Sequence, residues 1–561
     1  MKVENTQSVR SELFGPQEIV QRLCFCNLMQ TGKHINFQDH LVNNEQIKQL
    51  EKELWEAADN LRANSKLTAA EYKDPVLGLI LLRYAQNRFE DATKAIEPKL
   101  VGPRGKREAT QADYLAAGAM MLPEKSQYHF LANLPEASDI SEAVNEAMRA
   151  IEAGYSDLAG ILPKNYQDMD TDLLRELIRV FNKDSVKGLK GDVFGRIYEY
   201  FLMKFSMVGA GAQEGGEFFT PPSLVQLIVN FIEPDHGIIH DPACGSGGMF
   251  VQTGHFVEDR KLAVNEAIKV YGTELKANNT RLAKMNLAIH GIEGKIIEGN
   301  SFYSDPHDLT GKCDFVMANP PFNVNKIDKE KDYVKTDARL FADVGIPRAD
   351  NGNYMWIQYF YHYLNDKGRA GFVMASSATD AGGSEKLIRQ KLIETGGVDC
   401  IVAVGNNFFY TRSLPCHLWF LDKGKAKTNT SKILMIDARN TFRQVNTTLR
   451  DFTPDQMQGL TAIVKAYRGE DVSDVFASNE WLKATFPNGA YEDVEGLCKI
   501  VDMADVAAND FSLTPGRYVG YTVELDEGFD YQSRLDEIHG ELAGLNADAQ
   551  RLMRVVLDGS L

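Results

Sequence analysis

Seven cysteines in 561 residues, at positions 24, 26, 244, 313, 400, 416 and 498, are too few and too scattered for a disulfide framework. Only Cys24 and Cys26 lie close together, and no paired CxxC spacing offers a zinc site, so reduced thiols and no metal are expected. Long apolar runs are absent too. The densest, Val76 to Leu82, is far shorter than a membrane span, and Met1 to Thr6 opens no apolar leader, which points to a cytoplasmic chain with no membrane partner. An excess of positive charge is also missing, because the net charge is −17. A chain that grips nucleic acid unaided usually presents a basic face, so either the basic residues are concentrated locally or a partner supplies most of any such contact. Neither a GxxxxGK[ST] phosphate loop nor an internal repeat is found.

What is present is an ordinary globular composition, 44% apolar and 25% charged, at a length that divides into two to four units. The first 170 residues read as helical. Ile47, Leu50, Leu54, Ala57 and Leu61 recur at steps of three and four, and Asp74-Pro75 reads as an acidic cap with proline at the first helical position of a buried helix through Tyr84. Val101 to Gly105 reads as a loop, with helical patterns resuming through Ile151 and from Leu173 to Phe181.

From Gly191 short β-rich runs alternate with helical stretches: 237–240, 270–273, 295–297, 315–318, 370–374, 399–404 and 417–421, with a further strand at 433–436. This alternation implies an α/β fold with a parallel, doubly wound sheet whose ligand sits at the carboxyl ends of the strands. The last thirty residues carry Leu535, Ile538, Leu542, Leu545, Ala549, Leu552 and Val556, an a/d seam over three heptads. That helix either folds back on its own domain or is offered to a partner chain.

Four successive strand ends carry chemistry. The first runs into Asp241-Pro242-Ala243-Cys244-Gly245-Ser246-Gly247-Gly248, where glycines permit a tight turn and the following helix start favours a carboxylate or phosphate. The second ends at Glu274, an acid able to accept from ribose hydroxyls or, alternatively, to sit at a helix N-terminus. The third is followed by Asn300, whose carboxamide suits an adenine edge. After the fourth come Asn319-Pro320-Pro321-Phe322, a carboxamide, a stiffened turn and an aromatic ring that suit a planar amine; alone, such a tetrapeptide is an ordinary strand-ending turn. Lys326, Lys329, Lys331, Lys335 and Arg339 follow and can touch phosphate, but Asp328, Glu330 and Asp332 among them fit a solvated loop equally well. His240 and Cys244 read as packing residues.

This order of features resembles the amino-methylating DNA methyltransferases. Together with Gly191 to Phe201, Gly215 to Pro222 and Leu54 to Arg62, it is similar to the methylation (modification) subunit of type I restriction-modification systems. The resemblance implies a Rossmann-like methyltransferase sheet with a helical N-terminal domain (1–170), a catalytic domain (171–425), a C-terminal extension of it (426–525) and a C-terminal partner-binding helix (526–561). It implies methyl transfer from S-adenosyl-L-methionine to adenine N6 in DNA. Partners would be DNA, a specificity subunit, a second copy of the methylation subunit and a restriction (translocase-nuclease) subunit. Glu217, Phe218, Phe219, Thr220, Pro221 and Pro222, with Gly245, Ser246, Gly247 and Gly248, would surround the methionine end of the cofactor, with Glu274 at its ribose, Asn300 near its adenine and Asp241 also among the cofactor-binding residues. Asn319 and the Pro320 carbonyl would accept hydrogen bonds from the target amine, Pro321 would stiffen the turn, and Phe322 would stack on the base. Two other readings stay open: methylation of another planar amine, in an RNA guanine or a protein glutamine, and a non-catalytic assembly protein.

Overall fold

The structure is a computed structural model that describes residues 37–102, 105–155, 158–187, 189, 197–198, 200–205, 220–348, 350–409, 414–447, 449–520 and 531–557. The chain forms two compact units, 1–210 with 289–291, and 211–288 with 292–561.

The first unit is helical, built on α1 (Phe37–Ala63), α2 (Ala69–Ile96), α3 (Ile140–Gly154) and α4 (Thr171–Phe181). On α1 the buried stripe falls on Ile47, Leu54, Trp55 and Ala58, and the Trp55 ring meets Phe201 and Phe205 edge to face. The start of α2 differs from the sequence reading. Thr68 caps it: its hydroxyl accepts from the Glu71 amide, while the Glu71 carboxylate accepts from the Thr68 amide at 2.9 Å. This reciprocal pair satisfies two donors that Asp74-Pro75 leaves open, so the helix begins earlier and Pro75 lies inside it. Val101–Gly102 pairs antiparallel with Gly105–Lys106 as a minimal hairpin.

The second unit holds a nine-stranded sheet. Its strands are β1 (Gly237–Asp241), β2 (Ile268–Glu274), β3 (Gly294–Glu298), β4 (Cys313–Ala318), β5 (Leu364–Ala375), β6 (Val398–Val404), β7 (Cys416–Asp422), β8 (Lys432–Asp437) and β9 (Cys498–Asp502). Their order is β9-β8-β6-β7-β5-β4-β1-β2-β3. Alternation along β4 shows how the layers form: Phe315 and Met317 enter one apolar cluster, Val316 and Ala318 the other. The first cluster includes α5 (Pro222–Ile232), α6 (Gly248–Asp259), α7 (Ala277–Ile289) and α10 (Pro454–Arg468); the second includes α8 (Asn353–Tyr363) and α9 (Gly383–Glu394). Helices thus cover both faces, as a doubly wound sheet requires.

The sheet is not wholly parallel, however. Strand β7 runs antiparallel to both β5 and β6, and β9 antiparallel to β8. Only residues 405–415 join β6 to β7, too few for the helical crossover that parallel neighbours need. The terminal helix α11 (Tyr531–Leu557) is exposed along the described part of its seam, with Leu542 57%, Leu545 66% and Leu552 56% accessible. It does not fold back on the sheet.

Candidate active site

Strands β1 and β4 are adjacent and parallel, with His240 opposite Val316, so their carboxyl ends carry the glycine loop and Asn319 side by side. This is where the strand order reverses, the crevice in which doubly wound sheets bind ligands.

The glycine loop is held on two sides. The Cys244 amide donates to the Thr273 carbonyl at 3.1 Å, and the Gly245 amide to Glu274 Oε2 at 3.0 Å. Ser301 Oγ donates to the Pro242 carbonyl at 2.6 Å, which ties the loop to the segment after Asn300. Gly245 (φ +54°) and Gly247 (φ +76°) adopt left-handed conformations that other residues reach only with strain. A Cβ added at Gly245 or Gly248 would meet no protein atom within 4 Å, so the loop's open side faces space that a ligand can fill. Helix α6 begins at Gly248 with neither a side-chain cap nor an acid in its first turn, leaving its positive end to a carboxylate.

Asp241 is buried, and its carboxyl is pushed well above the usual range, first by burial and further by the charge of Glu274; the Ala243 amide, 2.9 Å away, works against this. A cationic group brought close would restore its charge. Glu274 accepts through Oε1 from the Lys276 amide at 2.9 Å, and Asn300 accepts through Oδ1 from the Phe302 amide at 3.0 Å. His240 and Cys244 are packing groups: burial pushes the imidazole down to about 3 and the thiol well up.

At the tip of β4, Asn319 Nδ2 donates to Thr220 Oγ1 at 2.9 Å, while its buried Oδ1 has no hydrogen-bond partner. A buried carbonyl without a donor costs about 1–3 kcal/mol, so this oxygen has acceptor capacity that the described residues do not use. Pro320 is buried, Pro321 exposed and Phe322 half-buried between the two apolar clusters. The next residue, Asn323, is left-handed at φ +54°. Its amide donates to Asn353 Oδ1 at 2.8 Å, and Asn353 Nδ2 donates back to Asn323 Oδ1 at 2.8 Å.

Thr220 and Pro221 lead into α5, which starts at Pro222, and all three are described; Glu217, Phe218 and Phe219 lie outside the described residues. Sequence reasoning missed two residues that act on the turn, Asn353 and Thr220 as the partner of Asn319, because no local pattern joins positions 30 and 99 apart. It also misplaced Arg339, whose side chain is 1% exposed and bonded to Asp337, so it cannot meet a phosphate. Of the lysines nearby, Lys335 pairs with Glu330 and Lys331 lies over the Tyr303 ring. A cleft of about 600 Å³, lined by Glu233, Asp235, Arg260, Asp314 and Arg369 among others, opens away from the glycine loop, at the amino ends of β1, β4 and β5. Its charges neutralise one another, with Arg260 paired to Glu233 and Asp235 and Arg369 to Asp422.

Fold and site together define a doubly wound α/β enzyme that sets an asparagine turn beside a glycine loop at the carboxyl ends of adjacent strands. The chain belongs to the N-6 DNA methylase family, whose model matches residues 189–527, and an HsdM N-terminal domain model matches 50–181. Its relatives are methylase subunits of type I restriction enzymes. It is 35% identical over 547 residues to the MjaIX methylase subunit of Methanocaldococcus jannaschii, covering 94% of this chain and 93% of that one. To the HindI methylase subunit of Haemophilus influenzae it is 32% identical, covering 72% and 87%. The crystal structure of a type I restriction-modification methyltransferase subunit from Streptococcus thermophilus shares the fold at TM-score 0.66 and 20% identity, over 84% of this chain and 99% of that chain.

Among the described residues no helix is long and apolar enough to cross a membrane, and the cysteines at 244, 313, 400, 416 and 498 are free and buried.

Proposed function

We propose that the chain methylates adenine N6 in DNA, with S-adenosyl-L-methionine as donor, as the modification subunit of a type I restriction-modification complex. The observation that carries the reading is the buried, unpartnered Asn319 Oδ1 at the tip of β4, next to the glycine loop on β1. The open faces of Gly245 and Gly248 and the uncapped start of α6 suit the cofactor's carboxylate, Asp241 its positive charge, Glu274 its ribose hydroxyls and Asn300 its adenine. The cofactor, when bound, supplies a methyl group on a positively charged sulfur.

The amine lone pair of adenine is delocalised into the ring. Asn319 Oδ1 and the Pro320 carbonyl each accept a hydrogen bond from one N6–H, which turns the lone pair towards the methyl carbon. The cofactor's sulfur would keep the electron pair of the broken C–S bond as the N–C bond forms, and the alkylated nitrogen would shed a proton to water. No covalent enzyme intermediate arises. The base must leave the duplex at a cost of a few kcal/mol, and stacking on Phe322 returns about 1–3 kcal/mol.

Target choice belongs to a specificity subunit, and the exposed seam of α11 is the surface offered to the partner subunits. A second methylation subunit and a restriction subunit complete the assembly. The test is mass spectrometry of DNA nucleosides after reconstitution with the specificity subunit. N6-methyladenine should form with the parent chain and not with Asn319→Ala, which should still bind the cofactor. Formation of N4-methylcytosine, or undiminished transfer by Asn319→Ala, would overturn the reading.

A further inference from the structure

We infer that Thr220 is a positioning residue for Asn319: its hydroxyl holds the far end of the carboxamide so that Oδ1 faces the target amine. The inference rests on the reading of Asn319 as the acceptor, and it gives Thr220 a task other than touching the cofactor. An asparagine side chain presents an acceptor on one side and a two-hydrogen donor on the other, nearly equal in shape. Only one orientation can accept from an amine; the other sets N–H against N–H. Thr220 Oγ1, 2.9 Å from Nδ2, engages the donor end and leaves the buried Oδ1 without a partner.

The hydroxyl can do this because its backbone is anchored. Thr220 lies two residues before α5, whose Leu224, Leu227, Ile228 and Ile232 are fully buried. That helix lies close on β5: a Cβ at Gly371 would stand 2.9 Å from both Ile228 and Ile232. The sheet therefore fixes both partners of the bond, Asn319 through β4 and Thr220 through α5. Losing the hydroxyl frees the carboxamide to rotate and leaves Nδ2 without its acceptor.

The experiment uses the chain reconstituted with its specificity subunit and follows single-turnover methylation of cognate DNA, with cofactor affinity measured in parallel. Thr220→Val keeps shape and loses the hydroxyl; its transfer rate should fall about 10- to 100-fold while cofactor affinity stays within about threefold. Thr220→Ser should recover transfer to within about threefold of the parent. Thr220→Ala provides a second hydroxyl-free variant, with cofactor binding as its check of folding. Parent-like transfer by the valine and alanine variants, or a loss of transfer matched by an equal loss of cofactor affinity, would overturn the inference. Failure of the acceptor reading itself would appear separately, as transfer that survives Asn319→Ala.

Discussion

Removing the charge of Arg339 should destabilise the second unit without touching DNA. The guanidinium is bound from all sides: Nε and Nη2 reach the two oxygens of Asp337 at 2.9 and 2.7 Å, and Nη1 reaches Tyr363 Oη at 2.7 Å. It also donates to the carbonyls of Ser301 and Ser304 at 3.0 and 3.3 Å, and stands 4.0 Å over the Tyr359 ring. With Asp337 only 2% exposed in its side chain, Arg339→Met strands a carboxylate in the interior. Breaking one side of a buried pair costs about 3–5 kcal/mol, roughly a 10²- to 5 × 10³-fold rise in the unfolding constant. Because Ser301 and Ser304 follow Asn300, hydrogen exchange of their amides should quicken as well. The double variant Arg339→Met/Asp337→Leu, which removes both charges, should regain most of the stability in urea unfolding. A phosphate contact predicts something different: unchanged stability, weaker DNA binding and a salt slope smaller by about 0.9. If Arg339→Met unfolds like the parent and the slope shrinks, the buried-hub reasoning is wrong.

Asn353→Ala removes both bonds to the left-handed Asn323, so transfer should fall about tenfold or more with little change in cofactor affinity; a variant with parent rates would show that the turn holds itself. Gly247→Val forces a branched side chain into φ +76° with the Ala283 backbone 3.4 Å away, and calorimetry should show cofactor binding lost. Acid should also weaken the fold. His240 and His417 are held neutral by burial, their values lowered to about 3 and about 4, whereas an unfolded histidine titrates near about 6.5. The unfolded chain then binds more protons below about pH 6.5, so stability falls from there towards each folded value, by about 2 kcal/mol per histidine at about pH 5. The raised Asp241 works in the opposite direction, and comparison of urea unfolding for the parent and His417→Gln at both pH values isolates the histidine share; equal losses in both would refute it.

The sheet was legible because its strands are short apolar runs between glycine-rich turns, and the runs at β1 to β8 mark their own positions. Direction was not legible. Nothing in Cys416 to Asp422, buried along its whole length, says whether it runs with or against its neighbours; the short 405–415 link decides that. Strand β9 escaped notice because Lys499 and Asp502 are exposed at the sheet's edge and interrupt any apolar run. At the site, the glycine loop and the asparagine turn could be read because each is contiguous. Thr220 with Asn319, and Asn353 with Asn323, could not, since only the folded sheet brings them together.

The chemistry of the tip bears on the acidity of the chain. Asn319 Oδ1 and the Pro320 carbonyl are neutral acceptors, and neither removes a proton; on the proposed mechanism none is needed, because an alkylated aromatic amine is acidic enough to lose its proton to water. The described lysines near the tip are partly engaged with the protein: Lys335 with Glu330, Lys329 with the Pro347 carbonyl. At a net charge of −17, the proposed assembly predicts that much of the grip on the phosphate backbone comes from another subunit. If, as proposed, the exposed leucines of α11 form the apolar attachment for that subunit, Leu542→Lys with Leu545→Lys should abolish methylation of DNA by the assembled enzyme while cofactor binding by the chain stays at the parent value. Size-exclusion chromatography of the mixed subunits reads the attachment directly. A doubly substituted chain that still co-elutes with the specificity subunit and methylates its DNA would place the attachment elsewhere.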